Sequence, residues 1–361
     1  MPGHVTINDV ARAAGVSKGA ASNALNDQPG VSEATRLRVK EAATRLGWLP
    51  NRFARALSGA KSDAIGWAIL RSPKSATIDP YFTDLFSGIQ LELEQTDLSL
   101  VAKLVSDRAA EAELYRRWAA ERRVGGVLVS DVDADESRFD QLRALDLPFA
   151  AFRSTLAAHR ACSGETEAGT LPRGPRVPSV WFQEQEAARA LLEHAHRHGH
   201  RRIAWITGDP GKAAVLLRER AVELWGRSHG ARVATVYTDY SPGVGAATAL
   251  ALVEGSEPPT FIVFDSDIMA LAGLSSLVAA GHSVPGEVSI ASFIDSELCQ
   301  VALPAITALS HPVLEYGRRL TRRLIAAVDG GSGDVWLPVP SLVERGSVGE
   351  AVASEQGFRR N

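Results

Sequence analysis

Residues able to make hydrogen bonds at helical spacing crowd the start of this 361-residue sequence, in Val5-Thr-Ile-Asn-Asp-Val-Ala-Arg-Ala-Ala-Gly-Val-Ser-Lys-Gly-Ala-Ala-Ser-Asn-Ala-Leu-Asn26. The stretch reads as two short helices joined by a tight turn, which is either an ordinary αα-corner with no DNA function or a helix-turn-helix whose second helix enters the DNA major groove and reads base edges; the third helix and the basic charge that follow favour the second. Three other constellations promise chemistry and fall short. His194-Ala-His-Arg-His198-Gly-His200 puts two imidazoles one helical turn apart. The run closes a helix, however, where imidazolium suits the dipole, so no metal is expected. Gly208-Asp-Pro-Gly-Lys212 is no phosphate loop, because position 206 is Ile and Ala213 replaces the required hydroxyl. Asp131-Val-Asp-Ala-Asp135 lacks the sixth-position Gly and twelfth-position Glu of a calcium loop and reads as a solvated loop. With no Gly-x-Ser-x-Gly elbow and no Cys/His nucleophile pattern, an enzyme is not expected, nor any cofactor.

The elements that would position the first stretch are legible. Ile7, Val10, Ala11 and Ala14 recur at helical spacing, Gly15 supplies a left-handed stop, and Ser17 stands as N-cap of a second helix running to about Leu25. Ala20, Ala21 and Ala24 allow a close helix crossing. Ser32 caps a third helix with Glu33 in its first turn. Val39, Ala42, Ala43 and Leu46 form its apolar stripe, and Gly47 and Pro50 end it.

Charge is distributed unevenly. Residues 1–61 hold nine Lys/Arg against four Asp/Glu, a net +5, whereas the whole chain is −3, so the remainder carries −8. A basic head on an acidic body is the electrostatic footprint of a nucleic-acid-binding module. No apolar run could span a bilayer and no signal-peptide core is visible, so a cytoplasmic protein is expected. Two lone cysteines, Cys162 and Cys299, build neither a disulfide framework nor a zinc site.

Val5-Thr-Ile-Asn-Asp-Val-Ala, Ala14-Gly-Val-Ser, Ser22-Asn-Ala-Leu-Asn, Val31-Ser-Glu-Ala-Thr-Arg, Leu46-Gly-Trp-Leu-Pro-Asn-Arg and Ala54-Arg-Ala-Leu57 strongly resemble the headpiece and hinge of LacI/GalR (lactose-repressor) family regulators. The resemblance implies a helix-turn-helix headpiece over 1–49, a hinge helix and linker over 50–62, and a two-lobed effector-binding and dimerisation core over 63–361. It places Lys18, Gly19 and Asn23 at base-reading positions, with Thr6, Ser17, Ser22, Asn26 and Arg52 as backbone-positioning contacts. Asn23 departs from the arginine usual there and suits adenine rather than guanine. Gly19 reaches nothing, so Lys18 either carries more of the readout or binds phosphate. Residues Asn51–Leu57 are too few to hold a helix alone in water. As a linker they would be unstructured; the resemblance instead implies a segment that folds against DNA and its copy in a second subunit, with Arg52 and Arg55 beside a minor-groove wedge, Leu57.

From Asp63 onward short apolar runs alternate with helical patterns, which implies parallel sheets with helices on both faces. Strands are expected at Ala64–Leu70, Leu98–Leu104, Gly126–Val129, Phe149–Phe152, Arg202–Ile206, Arg232–Tyr237, Phe261–Phe264 and Ser289–Phe293. Helices are expected at Thr83–Leu93, Ala109–Glu121, Ser137–Leu145, Glu184–His198, Ala213–His229, Val244–Glu254, Asp267–Ala280 and Pro312–Val328. Residues 154–179, rich in Gly and Pro, read as a crossover loop with an insertion. The body resembles the family's periplasmic-binding-protein-like core, with the ligand expected beyond the carboxyl ends of the strands, between the lobes.

The resemblance points to Tyr81, Phe82, Arg153, Arg220, Tyr240, Ser266, Asp267, Ile294 and Asp295 as effector contacts, with Arg218 an alternative to Arg220. Ser266 stands where an asparagine is usual, and Ile294 and Arg153 where aspartates are. Losing two acids and gaining a cation suggests an acidic or phosphorylated effector gripped by Arg153 and Arg220. The alternatives are an altered site without an effector, or Arg153 in a structural ion pair. The expected function is a homodimeric repressor that binds a palindromic duplex operator and answers to a sugar-like or anionic small molecule, with further pairing of dimers left open. A solute-binding module of transport type and an orphan regulator without effector are the alternatives.

Overall fold

A computed structural model describes residues 5–48, 62–70, 80–134, 136–152, 177–331 and 333–352 of the chain, which divides into two units, Met1–Ser62 and Asp63–Asn361. Asn51, Arg52, Arg55 and Leu57 of the expected hinge, and Arg153 with the rest of 153–176, lie outside the described residues.

The first unit is built on capped helices. The Asp9 carboxylate accepts the Thr6 backbone N–H at 3.0 Å and the Thr6 hydroxyl at 2.6 Å, opening α1 (Ile7–Ala14). Gly15, at φ +65°, ends it by donating to the carbonyls of Ala11 and Arg12. Ser17 Oγ then accepts the Ala20 N–H at 3.2 Å to start α2 (Lys18–Leu25), and Ser32 Oγ accepts that of Thr35 at 3.3 Å to start α3 (Glu33–Leu46). Each such cap contributes about 1 kcal/mol. Val10, Ala11, Ala14, Ala21, Ala24, Val39, Ala42 and Ala43 form the small core, with Trp48 against its edge. Leu46, expected in that core, is instead exposed, because the 14-residue α3 extends past the two eight-residue helices it packs on.

In the second unit the chain first builds β1 (Ala64–Leu70), α4 (Pro80–Leu93), β2 (Ser99–Val105), α5 (Arg108–Ala120), β3 (Val127–Val129), α6 (Arg138–Ala144), β4 (Phe149–Phe152) and β5 (Ser179–Trp181). It continues through α7 (Glu184–Arg197), β6 (Arg202–Thr207), α8 (Ala213–His229), β7 (Arg232–Tyr237), α9 (Pro242–Val253), β8 (Phe261–Phe264), α10 (Asp267–Ala279), β9 (Ser289–Ser292), α11 (Glu297–Val301) and β10 (Thr307–Ser310). The closing elements are α12 (Val313–Val328), β11 (Asp334–Trp336) and β12 (Ser341–Val343). One sheet runs β11-β5-β4-β3-β1-β2 with parallel pairing; the other runs β12-β10-β9-β8-β6-β7, parallel except for β12 against β10. Each sheet is the floor of one lobe.

Among the described residues three connections pass between the lobes, at 182–183, 311–312 and 337–340. The first corrects the sequence reading of 154–179 as the crossover. Ser179-Val-Trp181 pairs with β4 and β11 inside the first lobe, and the chain leaves only after it. Aromatic packing fills the crossing region: Phe182 stacks on Tyr316 at 5.6 Å and meets His311 edge-on at 5.1 Å, while His311 Nε2 donates to the Phe293 carbonyl at 2.8 Å. Helix α12 returns to the first lobe, where Gly317 and Gly88 let it cross α4 backbone to backbone. A methyl on Gly88 would sit 2.0 Å from the Leu314 carbonyl oxygen. That crossing fixes α4, whose first turns carry Tyr81, Phe82 and Leu85. Trp67 and Trp205, both fully buried, anchor the two sheets from equivalent strands, each next to an edge strand.

Candidate functional site

On α2 the residues expected to meet DNA share one face. At 100° per residue Lys18, Gly19, Ser22, Asn23 and Asn26 span about 140° of the helix, opposite the fully buried Ala21 and Ala24. Lys18, Gly19 and Asn26 are exposed, and Ser22 and Asn23 are half-buried. Asn26 Nδ2 donates to the Ser22 carbonyl at 3.0 Å, which steadies the last turn. Thr6 and Ser17 are exposed too, although each hydroxyl already serves its cap. Not every cation of the head faces outward. Arg36 and Lys40 both reach Asp27 at 2.8 Å, and Arg38 Nε donates to the Ala14 carbonyl at 3.0 Å, so these three brace α3 to the rest of the unit.

The second unit holds a cavity of about 330 Å³ between its lobes, at the carboxyl ends of the strands. Leu70 follows from β1, Ser130 and Asp131 from β3, and Phe152 from β4. Asp209 follows β6, Asp239 and Tyr240 follow β7, Asp265 and Ser266 follow β8, and Phe293 and Ile294 follow β9. Helix α4 adds Tyr81, Phe82 and Leu85; α8 adds Ala214, Val215 and Arg218; α10 adds Asp267 and Ile268. The walls combine aromatic faces with separated carboxylates.

One side of the cavity rests on a buried polar cluster. Arg218 pairs with Glu184 at 2.8 Å and with Asp265 at 2.7 Å, and its guanidinium lies 4.8 Å from the Phe293 ring centre. Asp265 also accepts the Trp205 indole N–H at 2.7 Å, the Thr207 hydroxyl, and the Tyr240 hydroxyl at 3.1 Å. Burial opposes the charge on Arg218, but the two carboxylates outweigh it and hold the guanidinium protonated. Tyr240 stands in the left-handed region at φ +62°, a conformation that costs a non-glycine residue energy. The turn brings its ring flat over Gly208, where no side chain could fit. Ser266 caps α10 by accepting the Met269 N–H at 3.3 Å. Burial pushes the Asp267 carboxyl up, against hydrogen bonds from Ser296 and the Ile268 amide.

Tyr81, Phe82, Tyr240, Ser266, Asp267 and Ile294 therefore come together on the cavity wall. Two expected members do not. Arg220 is exposed and outside the wall, because two residues along α8 turn a side chain by about 200°, and Arg218 takes the inward position. Asp295 is also outside, engaged in a bidentate pair with Arg345 at 2.8 and 2.7 Å. The Asp131–Asp135 run is more than a solvated loop: Asp131 lines the cavity and Asp133 is ion-paired to Arg108 and Lys212. Sequence reading missed Asp265, Phe152 and Phe293. Their signal was position alone, each lying at or one residue past a buried strand's carboxyl end. Among the described residues no group of three His, Cys, Asp or Glu side chains could hold a metal ion.

Residues 6–51 match the family described as bacterial regulatory proteins, lacI family, and residues 192–348 match a periplasmic binding protein-like domain. The transcriptional regulator CelR of Thermobifida fusca is 27% identical over 344 residues, covering 94% of this chain and 95% of its own length. The repressor PurR of Aliivibrio fischeri is 26% identical over 354 residues, covering 95% and 98%. The chain belongs to the LacI family. A crystal structure of a LacI-family regulator from Bifidobacterium animalis superposes with a TM-score of 0.69 at 27% identity, covering 81% of this chain and all of the other. The lac repressor dimer bound to operator and an anti-inducer shares the fold with a TM-score of 0.78 at 24% identity, covering 96% and 100%. As a LacI-family chain the protein is a transcription regulator, not an enzyme: three capped helices are followed by a two-lobed α/β core of parallel sheets. No helix among the described residues is long and apolar enough to cross a membrane.

Proposed function

We propose that this LacI-family chain is a repressor that grips a near-palindromic duplex operator as a homodimer and is controlled by a small molecule in its interlobe cavity. The observation that carries the reading is the coexistence, on one chain, of a recognition helix with a single polar face and a body with a walled cavity at its strand ends. A two-fold dimer presents two such helices, so two half-sites about one helical turn apart are expected. Lys18, Gly19 and Asn23 read bases; Thr6, Ser17, Ser22, Asn26 and, from the hinge, Asn51, Arg52, Arg55 and Leu57 set register and bend. A duplex regulator of this family works where the chromosome lies, in the cytoplasm.

The cavity wall favours an uncharged ring with hydrogen-bond donors over an anion. Its described cations, Arg218 and Lys212, are both committed to carboxylates, and Asp131, Asp209, Asp239 and Asp267 also face the space. Tyr81, Phe82, Phe152 and Phe293 offer flat apolar faces for such a ring. Selection of bound sequences from random duplexes, followed by gel shifts over a salt series, tests the DNA half. A palindromic motif with steeply salt-dependent affinity is expected from counterion release. A chain that stays monomeric and prefers no duplex over heparin would refute it.

A further inference from the structure

Two loops that carry no recognisable motif are joined across the mouth between the lobes. After β3 the first lobe presents 131–134; after β6 the second presents 209–213. Ala134 N–H donates to the Gly211 carbonyl at 2.8 Å and Ala213 N–H to the Val132 carbonyl at 3.0 Å, pairing Asp133 with Lys212 in a one-residue antiparallel bridge. Asp133 and Lys212 occupy the close, non-hydrogen-bonded position of that bridge, where side chains meet. Lys212 Nζ reaches Asp133 Oδ1 at 2.5 Å. Beside them Ala213, the first residue of α8, is fully buried in the first lobe's cluster with Val132, Val129 and Val105.

The two ends of the junction differ in rigidity. Asp133 is fixed from below: Arg108 donates to it through Nε at 2.8 Å, to Glu111 at 2.6 Å and to the Asp131 carbonyl at 2.9 Å, while the Asp133 N–H donates to Glu136 at 3.0 Å. Arg138 ties Glu111 and Glu136 together in the interior. The opposing loop is a preformed turn, with Asp209 Oδ1 accepting the Gly211 N–H at 2.8 Å, but Lys212 has a single flexible stem. Lys212 also lines the cavity, as do Ala214, Val215 and Arg218 on the turns of α8 that follow.

From this we infer that Asp133 and Lys212 form an interlobe clasp that ties the two lobes together at the mouth and controls entry to the cavity. Arg108 keeps the catch in place, Lys212 is the hook, and release lets the start of α8 leave the first lobe. The inference rests on the reading of the cavity as a ligand site but is tested apart from it.

The test uses the full-length chain carrying Cys162→Ser and Ile294→Cys, so that a thiol sits on the cavity wall. Cys299 remains, its thiol buried and pushed up to about 12, which makes it a poor nucleophile. Modification by a small methanethiosulfonate reagent reports access. Lys212→Met keeps the stem and removes the charge. It is expected to raise the labelling rate about tenfold, the weight of one charge-assisted hydrogen bond. Asp133→Asn should act in the same direction. In the chain without the introduced cysteine, Lys212→Met should speed amide exchange at Ala134 and Ala213 while the β6 amides keep their protection. Labelling and exchange rates equal to those of the parent would overturn the clasp. Loss of duplex binding by the unmodified chain would instead sink the regulator reading, so the two failures are distinguishable.

Discussion

Arg218 and Asp265 meet at 2.7 Å with both side chains buried, and the second Arg218 partner, Glu184, is equally enclosed. A cation held between two buried carboxylates is structural before it is anything else: remove it and two negative charges remain with no water to screen them. Arg218→Ala is therefore expected to destabilise the body by about 3–5 kcal/mol, read as a lowered urea midpoint. Arg220→Ala, two residues on and exposed, should stay within about 0.5 kcal/mol. Equal effects of the two substitutions would show that the register of α8 is other than described.

The Tyr240 ring lies on Gly208, where a methyl group would come within 1.7 Å of it. Gly208→Ala must therefore expel the ring and break its hydroxyl contacts with Asp265 and Arg218. The expected loss is about 1–3 kcal/mol, the usual range for overpacking. In a Tyr240→Ala background the same substitution meets no ring and should cost little. A double-mutant cycle by chemical denaturation checks this, and additive effects would contradict it.

Much of this architecture is legible in the residues. Capping serines, left-handed glycines and helical spacing gave the headpiece, and α8 spans the expected Ala213–His229 because buried residues recur along it and the left-handed Gly230 stops it. The elements that escaped are short. β5, β11 and β12 have three residues each and β10 four, and unlike the equally short but wholly apolar β3, β4 and β8 they mix in Ser179, Thr307, Asp334 and Ser341, while their pairing depends on chain crossings that no local signal records. Two expected wall residues fell outside the cavity for a related reason. Arg218 and Arg220 differ by two positions in sequence and by half a turn in space, and Asp295 was drawn off by Arg345, fifty residues away. The loops holding Asp133 and Lys212 look empty of chemistry singly, since what they do requires each other.

His200 is almost fully buried, with Nε2 3.0 Å from the Gly349 carbonyl and Nδ1 2.9 Å from the Thr260 hydroxyl. Burial, reinforced by His198 and His194, depresses its pKa from 6.5 to about 4 despite the Gly349 carbonyl. The folded chain thus binds fewer protons here than the unfolded chain between those values, and stability must fall as pH drops from about 6.5 to about 4. His194, also lowered chiefly by burial, adds to the same slope. His200→Gln retains a donor and an acceptor without titrating, so it should flatten the dependence of Tm on pH across that window. An unchanged slope would mean that His200 is not the group responsible.

Asn23 lies on the polar face of α2, half-buried and one helical turn from Gly19, which has no side chain to share the reading. An amide presents one donor and one acceptor, the pattern of the adenine edge in the major groove, whereas arginine presents paired donors to guanine. Asn23→Arg should shift the base preferred at one position of each half-site from adenine to guanine, with discrimination of about 1–3 kcal/mol. Parallel selections of parent and variant on random duplexes measure the shift, and competition at fixed salt gives its size. Because the helix is capped by Ser17 and buried through Ala21 and Ala24, none of which the substitution touches, the headpiece should keep its fold. A change in overall affinity without a change in base would assign Asn23 to the phosphates instead.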